Sequence, residues 1–391
     1  MTAEPKRVLM TSGHHWSSTF RLGTHHLASG FLRRGWEVAF VSNPVSPLHV
    51  FSANRRDVLE RARIFAAGGR GYCDGRLWTY VPGALVAPTN KPLLRSEWVC
   101  RNWQSTTLPS IGRVLRRSGF GEVDLLYFDS PVQAGLLTRV AHRRSVFRIA
   151  DRMDGFSSFA PAFVTMQREL AGRVDLVIYS ARSLASYVEA LGPRNSMLVP
   201  NGVDFRHFAE GRRETPPEYG SIPRPRAVYV GAMDEWFDFE LVSRAAAEMP
   251  HVSFVLIGPD RIARARLASL PNLHVLGARP FDKVPSYLHH ADAGIIPFDV
   301  AGHARLVHTV NPLKLYEYMA CGLPVVAAAW RELEEAKSPA RLYQDSGGFM
   351  NALRDALETP GDRGAAIEFA RKADWDERVG ELIGRLDSLG R

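Results

Sequence analysis

The sequence predicts an α/β chain built from two doubly wound parallel-sheet domains. Three observations carry that prediction. Short apolar runs alternate with segments of helical spacing from Arg7 onward, the pattern of parallel strands joined by helical crossovers. The alternation halts at the turn signal Pro200-Asn-Gly-Val-Asp204 and the Pro/Arg/Glu-rich stretch Phe205–Arg226. It restarts at Ala227-Val-Tyr-Val-Gly231. The chain therefore divides into domain 1–204, linker 205–226, domain 227–370 and a helical tail, 371–391. A length of 391 residues suits that division.

Taken in order, Arg7–Ser12 reads as the first strand. Leu22–Arg34 is a helix stopped at Gly35, and Trp36–Val41 is the next strand, which completes a βαβ unit. The loop Gly13-His14-His15-Trp16-Ser17-Ser18 follows the first strand, at the end of an open α/β sheet where ligands bind. It has no G-x-G-x-x-G, so dinucleotide binding is not indicated. Arg55–Ala67 reads as a helix and Leu77–Pro82 as a strand. From Pro92 to Arg117, Trp98, Trp103 and several leucines interleave with five arginines. That make-up suits either an interfacial surface or an amphipathic helix pair packed on the sheet. Strands follow at Asp124–Phe128, Ser145–Ala150, Val174–Tyr179 and Met197–Val199, with helices at Val132–His142 and Ser183–Leu191. In the second domain, helices are expected at Phe237–Glu248, Val284–Ala291 and Leu313–Cys321. Strands are expected at Val252–Ile257, Leu273–Leu276, Ala293–Ile296 and Val325–Ala329, and Ala365–Leu389 is helical in pattern.

A hydrophobic content of 46% with 23% charged residues is that of a soluble globular protein. Met1–Met10 shows no signal peptide, and no run approaches the roughly 18 apolar residues of a membrane span. Cys73, Cys100 and Cys321 have no metal-ligand spacing and read as reduced thiols. The charge is uneven: residues 1–204 carry 26 Lys+Arg against 15 Asp+Glu, and residues 205–391 carry 23 against 26. A basic half beside a near-neutral half points to an anionic surface, membrane or nucleic acid, as a partner.

The stretch Asn311–Val326 is the strongest candidate for chemistry. Pro312 suits a helix start, Gly322 a helix stop, and Val325 onward a buried strand. Lys314 and Glu317 share one face near the helix N-terminus. An ammonium and a helix N-terminus favour a phosphate, and a carboxylate one turn on can accept hydrogen bonds from vicinal hydroxyls. A surface ion pair is the bland alternative. Gly231, in Val230-Gly231-Ala-Met233, lets a backbone approach a phosphate; Gly258, ending another strand, and Phe298 are candidate walls. In the first domain, Arg148-Ile-Ala-Asp151-Arg-Met-Asp154-Gly155 ends a strand, so either Asp151 or Asp154 is placed for general-base work. Arg148 and Arg152 are expected to keep Asp151 ionised. Asp374-Trp-Asp376 has a metal-site pattern but opens a helix, where capping explains it.

These motifs resemble the GT-B glycosyltransferases. Pro312-x-Lys314-x-x-Glu317-Tyr-x-Ala-x-Gly322-x-Pro324-Val-Val is similar to their donor-site helix. A Glu often found eight residues before the second is Thr309 here. Ser12-Gly-His14-His15-Trp16, Arg148-x-x-Asp151 and Asn201-Gly-Val-Asp204 are similar to the GumK-type glucuronosyltransferases and TuaH-like enzymes. So are Val230–Met233 with Phe237-Asp238, and Leu313-Lys314 with Gly322–Pro324. The resemblance implies two Rossmann-like domains facing a cleft, the last helix crossing back to the first. It implies transfer of a sugar from a nucleoside diphosphate sugar, UDP-sugar favoured, to a saccharide or lipid-linked acceptor of bacterial envelope or exopolysaccharide assembly. Asp151 maps to the base, with Asp154 competing and His14 near the acceptor or donor sugar. Gly231, Met233, Gly258, Arg279, Phe281, Phe298, Lys314 and Glu317 map to the donor site, Arg279 and Phe281 holding the base through backbone contacts. No cofactor and no metal are expected. The basic domain would meet an anionic membrane rather than nucleic acid, placing the protein peripherally on the inner face of the cytoplasmic membrane. An epimerase or hydrolase of the same fold, or a non-catalytic nucleotide-binding protein, are the alternatives.

Overall fold

The computed structural model describes residues 4–18, 21–51, 55–155, 160–211 and 214–389. The chain forms two compact units, Met1–Val199 with Val379–Arg391, and Pro200–Arg378. Each is built on one sheet.

In the first unit the strands are β1 (Arg7–Ser12), β2 (Glu37–Ser42), β3 (Arg70–Tyr72), β4 (Leu77–Tyr80), β5 (Glu122–Phe128), β6 (Ala141–Ile149), β7 (Leu176–Tyr179) and β8 (Ser196–Leu198). Their spatial order is β3-β4-β2-β1-β5-β6-β7-β8, parallel throughout except for the antiparallel pair β3–β4. Helices cover both faces, so β1, β2 and the second half of β6 are continuous buried runs with no polar alternation. The chain runs outward from β1 through β2 in one direction and through β5 in the other. That reversal opens a crevice at the carboxyl ends of β1 and β5.

The second unit holds β9 (Arg226–Val230), β10 (Ser253–Ile257), β11 (Leu273–Val275), β12 (Ala293–Ile296), β13 (Val325–Ala328) and β14 (Arg341–Tyr343). The order is β11-β10-β9-β12-β13-β14, all parallel. Here the switch falls between β9 and β12. Its carboxyl edge carries Gly231 after β9 and Phe298 after β12.

Three stretches differ from the sequence expectation. Val132–His142 is not a helix: Pro131–Thr138 is a 3-10 turn capped by Ser130, and β6 begins at Ala141 because it pairs with Glu122. Residues 205–226 are more than a linker. A short helix, Phe205–Ala209, is capped by Asp204, and Phe208, Tyr219 and Ile222 sink into the second unit's core. Arg226 holds Tyr219 and Ile222 there. Its buried guanidinium donates to the carbonyls of Tyr219, Ile222 and His290 and lies 4.5 Å from the centre of the Tyr219 ring. The tail is two helices, Arg363–Arg371 and Trp375–Ser388. Asp374 accepts from the Asp376 and Phe205 N–H groups, at 2.7 and 3.2 Å, so it caps the last helix.

Replacing Arg226 by Met orphans three buried carbonyls while keeping bulk. The expected loss is about 2–4 kcal/mol of unfolding free energy. It would be read as a lower urea midpoint; an unchanged midpoint would show that the 205–226 segment is held by its apolar side chains alone.

Candidate functional site

In the second unit, Gly231 turns the chain out of β9 with φ +147°, a conformation that side chains disfavour. A Cβ there would lie 3.2 Å from Lys314 Cε and 3.4 Å from its Nζ, so backbone and ammonium are in near contact. Gly258 ends β10 against the Gly231 carbonyl, which any side chain at Gly258 would strike; the same Cβ would touch Met233 Cε at 3.4 Å. Lys314 Nζ lies 5.2 Å from the centre of the Tyr229 ring and 4.9 Å from that of Phe298. Phe298 is buried and stacks on Trp330, with ring centres 5.6 Å apart. Gly231, Met233, Gly258, Phe298 and Lys314 are thus one cluster at the switch point.

Its electrostatics are unusual. Among the described residues no carboxylate lies within ion-pair distance of Lys314, and burial lowers its pKa to about 8, with the Glu317 charge opposing. Burial likewise raises Glu317 to about 7, against the pull of Lys314. The helix Leu313–Ala320 begins without a capping side chain and without an acid in its first turn. Its N-terminal N–H groups and the lysine are two positive features with no carboxylate in ion-pair contact among the described residues, a condition that an anion would relieve. Thr309, in place of a second Glu, turns its hydroxyl to the Leu306 carbonyl.

Arg279 and Phe281 do not join this cluster through their side chains. Arg279 donates to Glu218, to the Tyr287 hydroxyl and to the Leu276 carbonyl, and Phe281 stacks face to face on His207 at 4.3 Å. Both side chains are fixed by the fold. The main chain of Arg279 makes no backbone–backbone hydrogen bond among the described residues, so its peptide groups are open.

In the first unit, Asp151 follows β6 and is half-buried. Its pKa is raised to about 6 by burial, with Arg148 pulling down and Asp129 pushing up. Of the two arginines expected to keep it ionised at neutral pH, Arg148 alone acts on it. Arg152 is turned away, in a bidentate pair with Asp154 at 2.6 and 3.0 Å, and the buried Arg148 is shared with Asp129 at 3.1 Å. Asp154 is exposed and occupied by that pair, which leaves Asp151 as the carboxylate with a raised proton affinity. His14 lies exposed on the β1 loop, its N–H donating to Ser12 Oγ. Its neighbour His15 is buried between Asp57, at 3.1 Å, and Ser17, at 3.0 Å.

Sequence reasoning missed Asp129 and Tyr229. An acid immediately after β5, beside the switch point, was the available signal for Asp129. Nothing local marks Tyr229 as the ring beneath an ammonium.

Two family models match the chain. Residues 10–180 match "Glucuronosyltransferase GumK, N-terminal domain", and residues 224–359 match "Glycosyl transferases group 1". The putative teichuronic acid biosynthesis glycosyltransferase TuaH of Bacillus subtilis is 26% identical over 222 residues; the match covers 52% of this chain and about half, 54%, of TuaH. Among solved structures, sucrose-phosphate synthase of Thermosynechococcus elongatus superposes with TM-score 0.67 at 15% identity, covering 98% of this chain and 100% of that one. Anabaena HepE in complex with UDP and glucose gives 0.64 at 16%, with 98% and 100% covered. The E. coli trehalose-6-phosphate protein bound with UDP-2-fluoro glucose gives 0.67 at 11%, with 98% and 99% covered. The fold is GT-B, and each half of the chain matches a glycosyltransferase family.

The Asp151 shift has a stability consequence with a definite sign. A carboxyl whose folded pKa lies above its unfolded value, about 3.9, stabilises the fold below that value and loses the contribution as pH rises through 6. Asp151→Asn should therefore be more stable than wild type at pH 7.5, on the order of 1–3 kcal/mol, and equal to it at pH 3.5. Melting curves at the two pH values check this; a pH-independent difference would mean that Asp151 is not strained by burial.

Proposed function

We propose that the chain is a glycosyltransferase that moves a sugar from a UDP-sugar to a saccharide acceptor. The observation that carries this reading is the unpaired, half-buried Lys314 against the bare backbone of Gly231, at a helix N-terminus that has no cap of its own. A diphosphate supplies the missing negative charge and accepts from the ammonium and from backbone N–H groups. Glu317, one turn on, is placed to accept from a ribose. The open peptide groups at Arg279 suit the edge of a base, and Gly258, Met233 and Phe298 wall the site. In HepE and the E. coli protein, UDP or a UDP-sugar is bound to the same fold.

In the reaction, an acceptor hydroxyl attacks the anomeric carbon, and Asp151 takes the hydroxyl proton. The bond from that carbon to the diphosphate breaks, and UDP leaves with Lys314 and the helix dipole offsetting its charge. A carboxyl with pKa near 6 is ionised at neutral pH yet more basic than an ordinary aspartate, which suits it to the task. His14 would contact the sugars.

The test combines calorimetric UDP titration with UDP release from a panel of UDP-sugars, using bacterial lipid extract as the source of acceptor. Lys314→Met should weaken UDP binding at least tenfold. Asp151→Asn should keep UDP affinity and lose transfer by a factor of about 10² or more, whereas Asp154→Asn should retain both. Transfer surviving in Asp151→Asn but lost in Asp154→Asn would reassign the base; sugar turnover without acceptor would indicate an epimerase or hydrolase.

We further propose a lipid-linked acceptor met at an anionic membrane. The segment 83–108 is a long connection whose ends are closed by Leu85 N–H to Thr106 O and Leu108 N–H to Gly83 O, with Cys100 and Trp103 anchored in the first unit's core. It exposes Leu85 at 59%, Leu93 at 87%, Trp98 at 65% and Leu108 at 63%, interspersed with exposed Lys91 and Arg95. Leu93 is held at φ +66°, a strained setting for a leucine that projects into solvent. Apolar side chains with adjacent cations are the composition of an interfacial anchor. Among the described residues no helix is long and apolar enough to cross a membrane. Wild type should sediment with phosphatidylglycerol vesicles but not with phosphatidylcholine vesicles, and Leu93→Asp with Trp98→Asp should abolish it; equal binding to both lipids, or binding that survives the double change, would remove the anchor.

A further inference from the structure

The helix that carries Lys314 is fixed by a hydrogen bond that no strand supplies. Along β9, pairing with β10 is complete from Arg226 to Val230, and Gly231 N–H continues it to the Ile257 carbonyl at 2.9 Å. On the other side, β12 pairs with β9 only at Ala227 and Val228, before Pro297 and Phe298 carry the chain away. Two residues beyond that last pair, on the side that β12 has left, Val230 N–H donates to the Tyr318 hydroxyl at 2.7 Å. Tyr318 is wholly buried and lies one helical turn after Lys314. Its ring passes directly over Gly294 in β12, where any Cβ would collide with it. Burial keeps the phenol neutral, so the oxygen accepts from Val230 N–H while its proton points towards the Val230 carbonyl at 3.5 Å.

We propose that Tyr318 is a positioning residue for the donor diphosphate. Its hydroxyl stands in for the absent β12 partner and pins the helix to the last residue of β9. That contact sets the separation between the Lys314 ammonium and the Gly231 backbone, the next residue along. Without it, Val230 N–H is orphaned and the helix can slide along β9, so the cation and the backbone no longer converge on one anion. The inference rests on the donor-site reading above.

The test is Tyr318→Phe, which keeps the ring over Gly294 and removes only the hydroxyl. Calorimetric titrations of wild type and variant with UDP and with uridine separate phosphate recognition from base and ribose recognition. UDP affinity should fall about tenfold in the variant and uridine affinity by clearly less, since Glu317 is the one group of this helix placed to meet the nucleoside. Unchanged UDP affinity, or a parallel loss for both ligands, overturns the proposal, since a general loosening of the unit would weaken both. A wild-type protein that binds no UDP sinks the donor-site reading itself, and this inference with it. Should the variant not fold, hydrogen exchange on the wild type decides. The Val230 amide should be protected without ligand and more so with UDP; fast exchange in both states overturns the clamp.

Discussion

The structure turns on a half-buried positive charge that, among the described residues, has no carboxylate in ion-pair contact. An ammonium removed from water is costly unless something negative meets it, and the fold around Lys314 offers two aromatic faces and a glycine instead of a carboxylate. Phe298 is held by Trp330, Tyr229 by its hydroxyl's bond to the Ala232 carbonyl, and Gly231 by β10. The surroundings are rigid where the charge is unsatisfied. Such an arrangement stores its missing interaction for a ligand, and the same deficit that weakens the empty protein strengthens its complex.

Topology decides where that deficit can exist. In each unit the chain reverses its winding beside the first strand, and the carboxyl ends of the flanking strands lose cover there. Gly231 and Phe298 occupy this position in the second sheet, and the β1 loop with Asp129 occupies it in the first. Asp151 lies one strand further on, after β6. There burial raises its proton affinity, with the Asp129 charge adding to the rise and Arg148, which is paired with Asp129, pulling against it.

Most of the architecture was legible in sequence because parallel strands buried on both faces are short unbroken apolar runs, as in Val8–Met10 or Val325–Ala328. The helix that carries Lys314 was legible through Pro312 and Gly322. Failures came where tertiary contacts decide. Val132–Leu137 is apolar and helical in period, yet it winds as a 3-10 turn with Gly135 against the buried Gln104 side chain, and β6 starts early to pair with β5. Phe208, Tyr219 and Ile222 are scattered through a polar segment, and tertiary partners distant in sequence gather them: Arg226 and Tyr287 for Tyr219, Arg226 for Ile222, Phe281 and His289 for Phe208. Spacing did not separate Asp151 from Asp154; in the fold they differ in that Arg152 turns to Asp154.

On the proposed donor-site reading, Gly294 shows how far a functional constraint can spread from the place where chemistry occurs. It lies in the middle of a core strand, it bears no group that could touch a ligand, and it is glycine because an aromatic ring crosses it. Evolution of this chain would meet the same intolerance there as at the ammonium itself. A residue scan ranking positions by damage alone would place this silent position among the reactive ones, and only the map of what leans on what would tell them apart.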